Sequence, residues 1–284
     1  MTTSLKGKPA ADCVRDGVKS RVDERRQKAG SVPGLAVVLV GRDPASEIYV
    51  AKKHKAAVAV GMHSFECRLD ANSGTGAVLD VVSQLNRNPD VHGILVQLPL
   101  PDGVDSDAVI QHIDAAKDVD GLGRLSQGAL VQNRPGLRPC TAVGIIDLLD
   151  YYEVPLEGRQ AVVVGRSSLV GLPTALLLMH RNATVSVIHS KTPSPARIAR
   201  TADILVVAAG RPGLVTREWI KPNAVVVDVG IHRTDSGIVG DVLADEAWGH
   251  AGAFTPVPGG VGPMTIAELL HNTWMAFQTQ VVAG

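Results

Sequence analysis

The sequence predicts an α/β protein of two domains, and three observations carry that reading. The first is the stretch AVVVGRSSLVGLPTALLL, which starts at Ala161. An apolar run ends at Gly165, a polar turn of Arg166, Ser167 and Ser168 follows, and Gly171 opens a Leu- and Ala-rich segment. That order is strand, turn, helix, and Val185, Val187 and Ile188 add the second strand of a βαβ unit. The second observation is the alternation of helical and strand-like segments before it, as a parallel sheet with crossover helices requires. The third is composition: 284 residues suffice for two domains, and with only 3% aromatics the cores must be built from Val, Leu, Ile and Ala.

In chain order, Val14, Val18 and Val22 recur every four residues and predict a helix over 10–28. LAVVLVG is a strand ending at Gly41, followed by a turn at Asp43-Pro44 and a helix to about residue 60. A short strand is expected over 65–69, and a helix through Ala77, Val81 and Leu85 is stopped by Pro89. GILVQLPLP reads as a strand over 93–101, and a short helix covers 108–114. Residues 120–139 are expected to be loop, 142–152 helix, 204–208 and 224–228 strands, and 263–277 the last helix. No internal repeat or low-complexity linker interrupts the pattern.

The 28 basic and 28 acidic residues cancel, so nothing in the composition points to an electrostatic nucleic-acid binder. No window approaches a membrane span, and the N-terminus lacks the apolar core of a signal peptide, so a cytoplasmic location is expected. Cys13, Cys67 and Cys140 have neither metal-ligand spacing nor the number a disulfide framework needs.

The helix opening at Gly171 offers a dipole and backbone N–H groups to phosphate, and glycine lets backbone approach closely. Gly165 and Gly171 alone are not the G-x-G-x-x-G fingerprint, and a βαβ unit that binds nothing would look the same. The end of the second strand narrows the choice. It reads His189-Ser190-Lys191-Thr192, with no carboxylate for a ribose 2′-hydroxyl but with donors for a 2′-phosphate, as Arg166 also is. NADP is therefore expected over NAD.

Tyr49 and Lys53 stand four apart on one helix face, a plausible acid–base unit. The plainer reading makes Lys53 one of three surface lysines with Lys52 and Lys55. Short-chain dehydrogenases also carry Tyr-x-x-x-Lys, but downstream of the nucleotide turn, whereas here the pair precedes it. Gln97 ends an apolar strand, where α/β sites lie, or simply terminates it. In KDVDG, Asp118 and Asp120 are each either a turn residue or an acceptor for substrate N–H groups. PVPGGVGPMT holds more glycine than a turn needs, pointing to backbone against a ligand or to a hinge.

Together these motifs resemble the bifunctional methylenetetrahydrofolate dehydrogenase/cyclohydrolase family. The match runs along nearly the whole chain through VGRDPASEIYVAKKHKAAVAVGM, GILVQLPLP, KDVDG, RPCT, VVVGRSSLVGLP, HSKT, VVDVGI, VGDV and PVPGGVGPMT. The resemblance implies an N-terminal α/β catalytic domain (1–140) completed by a C-terminal helix (264–284) that returns to it, a Rossmann-like NADP-binding domain (141–263), and a homodimer. The implied substrate is 5,10-methylenetetrahydrofolate, held between the domains, oxidised by NADP⁺ to the methenyl form and hydrolysed to 10-formyltetrahydrofolate. By the same resemblance Lys53 is the central acid–base residue, Gln97 sets its protonation state, Tyr49 lies on the pterin and Asp120 holds the pterin's amino-pyrimidine edge. Gly165, Arg166, Ser167, Ser190 and Ile231 would contact NADP. Val96, Leu98, Pro258, Gly259, Gly260, Val261 and Gly262 would join Tyr49, Lys53, Gln97 and Asp120 in lining the folate site. No metal is implied.

The chain departs from the family pattern twice. GRLSQGAL over 123–130 stands where a His-Pro and Asn segment is usual, and Ala142-Val143 follows RPCT in place of Pro and a basic residue. Both changes are expected to affect ligand affinity, the ratio of the two activities or loop order. Two other readings stay open on sequence: a dehydrogenase of the shikimate type, and a binding protein without turnover.

Overall fold

The computed structural model describes residues 1–235 and 237–282 of the chain. The elements run β1 (Thr3–Ser4), α1 (Gly7–Ala29), β2 (Gly34–Val40), α2 (Pro44–Ala59), β3 (His63–Leu69), α3 (Thr75–Arg87), β4 (Gly93–Val96), α4 (Ser106–His112), α5 (Arg124–Val131) and α6 (Cys140–Tyr151). They continue through β5 (Gln160–Val164), α7 (Gly171–His180), β6 (Thr184–Ile188), α8 (Pro195–Ala199), β7 (Ile204–Val207), β8 (Val225–Asp228), β9 (His232–Thr234), β10 (Gly237–Val239), α9 (Ala244–Ala247), β11 (Ala253–Phe254) and α10 (Val261–Val282). Two compact units result, one of Cys13–Cys140 with Ile266–Gly284 and one of Met1–Asp12 with Thr141–Thr265. The divisions fall inside α1 and α10 and at the start of α6, so helices connect the units rather than linkers.

The first unit is built on a parallel three-stranded sheet in the order β3-β2-β4. Its central strand is buried at every position, and its side chains alternate between two cores. Leu35, Val37 and Leu39 pack with α1, α2 and α10 residues such as Val22, Val50, Leu270 and Phe277. Ala36, Val38 and Val40 pack with Val78 and Val82 of α3 and Val109 of α4. A strand covered on both faces has no use for polar alternation, which is why GLAVVLV reads as an unbroken apolar run. Asp43 caps α2 by accepting from the Ser46 N–H at 2.7 Å, and Pro44 starts the helix where no N–H is needed.

The second unit carries a six-stranded parallel sheet, β1-β11-β8-β7-β5-β6. Val162 and Val164 of β5, Leu205 and Val207 of β7, and Val226 of β8 form one core face with Phe254. Chain order reverses beside β5, with β6 on one side and β7 then β8 on the other. All these strands are parallel, so their carboxyl ends share one edge.

Several expectations shift. GILVQLPLP is a strand only over Gly93–Val96, because the prolines that follow cannot donate to a ladder. The stretch expected as loop holds α5, and the last helix starts two residues earlier than expected, at Val261. The first residues, expected in a 1–140 domain, pair with the six-stranded sheet: Thr3 and Ser4 lie opposite Ala253 and Phe254. Strands of two or three residues, β1, β9, β10 and β11, are too short for a periodic signal.

Truncating Leu35, fully buried at the centre of the first core, to alanine is expected to cost about 2–5 kcal/mol. Urea unfolding followed by circular dichroism measures that loss.

Candidate active site

Each unit gathers polar side chains at one edge of its sheet. In the first, α2 follows β2 and turns one lysine of three inward: Lys53 is 7% exposed, while Lys52 and Lys55 are exposed. The surface-lysine reading therefore fails for Lys53. Its Nζ donates to Gln97 Oε1 at 2.9 Å. Gln97 stands one residue beyond β4, its backbone N–H bonded to Val38 O at 2.9 Å and its Nε2 to Leu98 O at 2.7 Å. A glutamine ends this strand because its carbonyl oxygen is aimed at an amine. Burial pushes the Lys53 amine below its ordinary pKa, opposed by Asp120 and by Cys140. Tyr49, one turn earlier on α2, is half-buried, with Lys52 Nζ 5.9 Å from its ring centroid.

The two aspartates of KDVDG divide their work. Asp118, 2% exposed, accepts from Leu122 N at 3.2 Å, Gly123 N at 2.8 Å and Ser126 Oγ at 2.6 Å. It is the N-terminal anchor of α5, the helix made by GRLSQGAL, so the segment that departs from the family pattern is ordered by Asp118. Burial raises its carboxyl despite those donors. Asp120 is turned to side chains instead. Desolvation raises its carboxyl, while Lys53 and a hydrogen bond from Cys140 pull it back down.

Sequence reasoning missed two residues around Asp120. Cys140, buried at the start of α6, has Sγ 3.2 Å from Val119 O. Asn272 of α10 donates to Val119 O at 2.9 Å and Arg138 O at 2.8 Å, with Cys140 Sγ at 3.4 Å. One amide thus ties the backbone just before Asp120 to the backbone at Arg138. RPCT marked the cysteine; nothing in the sequence marks Asn272 except a polar residue on an apolar helix.

In the second unit, Gly165 follows β5, Ser190 follows β6, and Ile231 lies between β8 and β9. Gly165 has φ +118°, and a Cβ there would stand 2.1 Å from Ala208 O; at Gly171 it would stand 2.4 Å from Gly165 O. Glycine is required at both places by backbone packed on backbone. The first-turn N–H groups of α7, expected to be open to phosphate, are taken by Ser167: its Oγ accepts from Val170 N and Gly171 N at 3.2 and 3.3 Å, its carbonyl from Leu172 N at 3.0 Å. The attraction for an anion then rests on the helix dipole and on exposed Arg166, Ser190 and Lys191, with no carboxylate at the end of β6. That donor set fits a nucleotide 2′-phosphate.

In PVPGGVGPMT, Pro258 and Gly259 are exposed, Gly260 and Val261 buried, and Gly262 half-buried. Gly7 N donates to Gly259 O at 2.8 Å, and a Cβ on Gly7 would meet Gly260 O at 1.8 Å, so part of this glycine-rich turn serves close packing on the start of α1. Val96 is buried and Leu98 half-buried, on either side of Gln97.

A parallel dinucleotide-type sheet joined in one chain to an α/β unit with a buried lysine defines a two-domain, pyridine-nucleotide-dependent enzyme. Comparison with known proteins specifies it. Residues 5–120 match the model of the tetrahydrofolate dehydrogenase/cyclohydrolase catalytic domain, and residues 139–281 that of the family's NAD(P)-binding domain. "Bifunctional protein FolD 2" of Sinorhizobium medicae is 50% identical over 281 residues, 97% of this chain and 94% of that protein. The crystal structure of the bifunctional FolD enzyme of Campylobacter jejuni superposes with a TM-score of 0.95 at 42% identity, covering 99% of this chain and 100% of that one. The Trypanosoma brucei enzyme, solved with NADP cofactor and an inhibitor, gives 0.94 at 40% identity, covering 99% of this chain and 98% of that one. The chain belongs to the tetrahydrofolate dehydrogenase/cyclohydrolase family. It is a bifunctional enzyme, an NADP-dependent methylenetetrahydrofolate dehydrogenase and a methenyltetrahydrofolate cyclohydrolase. A shikimate dehydrogenase of Thermus thermophilus shares only the fold, with a TM-score of 0.56 at 20% identity. Among the described residues no helix is long and apolar enough to cross a membrane, and no cluster of residues could hold a metal.

Replacing Asp118 by Ala leaves buried donors without an acceptor and is expected to cost about 1–3 kcal/mol. Faster amide hydrogen exchange at Leu122 and Gly123, with a lower urea midpoint, checks it.

Proposed function

We propose that Lys53 is the acid–base residue of the hydrolytic step, held by Gln97 and balanced by Asp120. The observation that carries this reading is the 2.9 Å bond from a buried lysine to a neutral amide oxygen. Neutral Lys53 takes a proton from the water that attacks the methenyl carbon. A C–O bond forms to give a carbinol, and the protonated amine returns that proton to N5 of the pterin as the carbon's bond to N5 breaks. The hydroxyl's remaining proton leaves to solvent as the formyl C=O forms, so the cation and water give 10-formyltetrahydrofolate and one released proton. The amine must exchange protons readily to do this, and a lysine lowered by burial does so where a solvated one would stay charged. The dehydrogenase step asks less of the chain, because bound NADP⁺ supplies the hydride acceptor. The protein's own contribution there is orientation.

Tyr49 packs on the pterin in this reading, and Asp120 accepts from its amino-pyrimidine edge. Val96 and Leu98 line the folate, as do Pro258, Gly259, Gly260, Val261 and Gly262. Gly165, Arg166 and Ser167 contact the cofactor, Ser190 lies near its 2′-phosphate, and Ile231 packs against it. We further propose a cytoplasmic homodimer, for which sedimentation velocity at micromolar concentration is the test.

Replacing Lys53 by Met should abolish hydrolysis of 5,10-methenyltetrahydrofolate while NADP⁺ affinity stays within about twofold. A K53M enzyme that hydrolyses at the normal rate would overturn the assignment. The sign of the pH dependence follows from the shift. The neutral amine is the active form and its pKa lies below the usual 10.5, so the hydrolysis rate should rise through that lowered pKa and level off before 10.5 is reached. Gln97→Glu puts a carboxylate beside the amine, holds it protonated, and should move the rise to higher pH. Initial rates in overlapping buffers measure both.

A further inference from the structure

In VVDVGI and VGDV only Ile231 has a role in the function proposed above, yet each motif buries an aspartate. Asp241 is 0% exposed and accepts four hydrogen bonds. Its Oδ2 takes Ala209 N at 2.6 Å and Gly210 N at 2.9 Å. Its Oδ1 takes Arg211 N at 2.9 Å and His232 Nε2 at 2.7 Å. Asp228, at the end of β8, holds Asp241 in turn: Asp228 Oδ1 accepts from Gly230 N and Asp241 N, and Oδ2 from Val242 N, each at 2.9 Å. Burial raises Asp228 to about 6, so at neutral pH it is an anion among N–H donors. The packing leaves no slack. A Cβ on Gly230 would stand 2.4 Å from Asp241 Oδ1, and one on Gly240 1.9 Å from Asp228 Oδ2.

The place of this cluster gives it meaning. Dinucleotides lie across the carboxyl ends of parallel strands where chain order reverses. Here that point is β5, with β6 and Ser190 on the side of the adenosine 2′-phosphate. The loop after β7 and the start of β9 therefore lie on the side of the nicotinamide half. The β7 loop runs Ala208-Ala209-Gly210-Arg211, its first three residues have no side chain able to fix it, and Gly210 has φ +66°. Three successive N–H groups of that loop turn to one carboxylate, and the same carboxylate grips His232, the neighbour of Ile231.

We propose that Asp241 is a positioning residue for the nicotinamide half of NADP, fixing the β7 loop directly and the Ile231 segment through His232. The proposal rests on the cofactor site assigned above. A carboxylate that only stapled the fold would affect all ligands alike, whereas a positioning role separates the two halves of the cofactor. The probes are NADP⁺ and 2′,5′-ADP, which keeps the 2′-phosphate and lacks nicotinamide, titrated calorimetrically into the full chain.

Asp241→Asn is expected to weaken NADP⁺ by about tenfold or more and 2′,5′-ADP by less than about twofold. His232→Ala should show the same split more weakly, and His232→Gln, which can still donate to Asp241, should restore affinity. Should Asp241→Asn fail to fold, the His232 pair decides. Wild-type NADP⁺ affinity in a folded Asp241→Asn, or in His232→Ala, overturns the proposal, as does equal loss of both ligands. A wild-type chain that ignores 2′,5′-ADP overturns the cofactor-site reading, and this proposal with it.

Discussion

Parallel strands covered on both faces leave polar chemistry no place except their carboxyl ends, and each unit is built around that constraint. No position of β2 is open to a polar side chain, because Leu35, Val37 and Leu39 fill one core and Ala36, Val38 and Val40 the other. The first side chain that can do chemistry beside β4 is Gln97, one residue past its end. The amine facing it has to come from a crossover helix, and α2 delivers Lys53 at a turn where Val50 and Ala57 bury the same face. In the six-stranded sheet the same rule leaves Gly165, Ser190 and the β7 loop as the places where backbone and polar groups emerge.

Burial and neighbours act on Lys53 in opposite directions, and their balance makes the amine useful. Desolvation alone would strip its proton; a carboxylate in hydrogen-bonding contact would lock the proton on. The chain places a neutral amide in contact and keeps the carboxylate, Asp120, as an electrostatic neighbour whose own charge is penalised by desolvation. Gln97 accepts from the amine in either protonation state, so the contact survives each half of a proton transfer. Cys140 and Asn272 extend the arrangement by fixing the backbone next to Asp120 rather than by adding charge.

Much of the fold was legible because apolar period and punctuation agree. The four-residue valine spacing of α1, the Asp43-Pro44 cap of α2 and the uninterrupted runs of β2, β5 and β7 each state one structure. What escaped reading lacks such agreement. Helix α5 is eight residues with two glycines flanking or inside it, and it exists because a buried carboxylate eight positions before Ser126 collects its first-turn donors. β1 and β11 pair with each other across most of the chain, a contact no local pattern encodes. At the site, Lys53 and Gln97 could be nominated from position, but nothing in three nearby lysines says which is buried. Asn272 could not be nominated at all, since its partners are backbone carbonyls whose location depends on the finished fold.

The four aspartates Asp118, Asp120, Asp228 and Asp241 show why residue type alone underdetermines role. Three of them are ringed by backbone N–H groups, each accepting three or more hydrogen bonds from the chain itself. A carboxylate so occupied is turned to the chain itself rather than to a ligand, and it pins segments distant in sequence. Asp120 instead faces a lysine and a thiol. It sits two residues from Asp118, so the anchor and the reactive group are held by one short segment. Fixing Asp118 to α5 limits where Asp120 can go, just as Asp228 limits Asp241. Both units thus use an aspartate bonded to the chain itself, next to a glycine that no larger residue could replace without a clash, to give a neighbouring segment a single position. Chemistry that passes a proton or a hydride between groups held in contact needs that restriction more than it needs another charge.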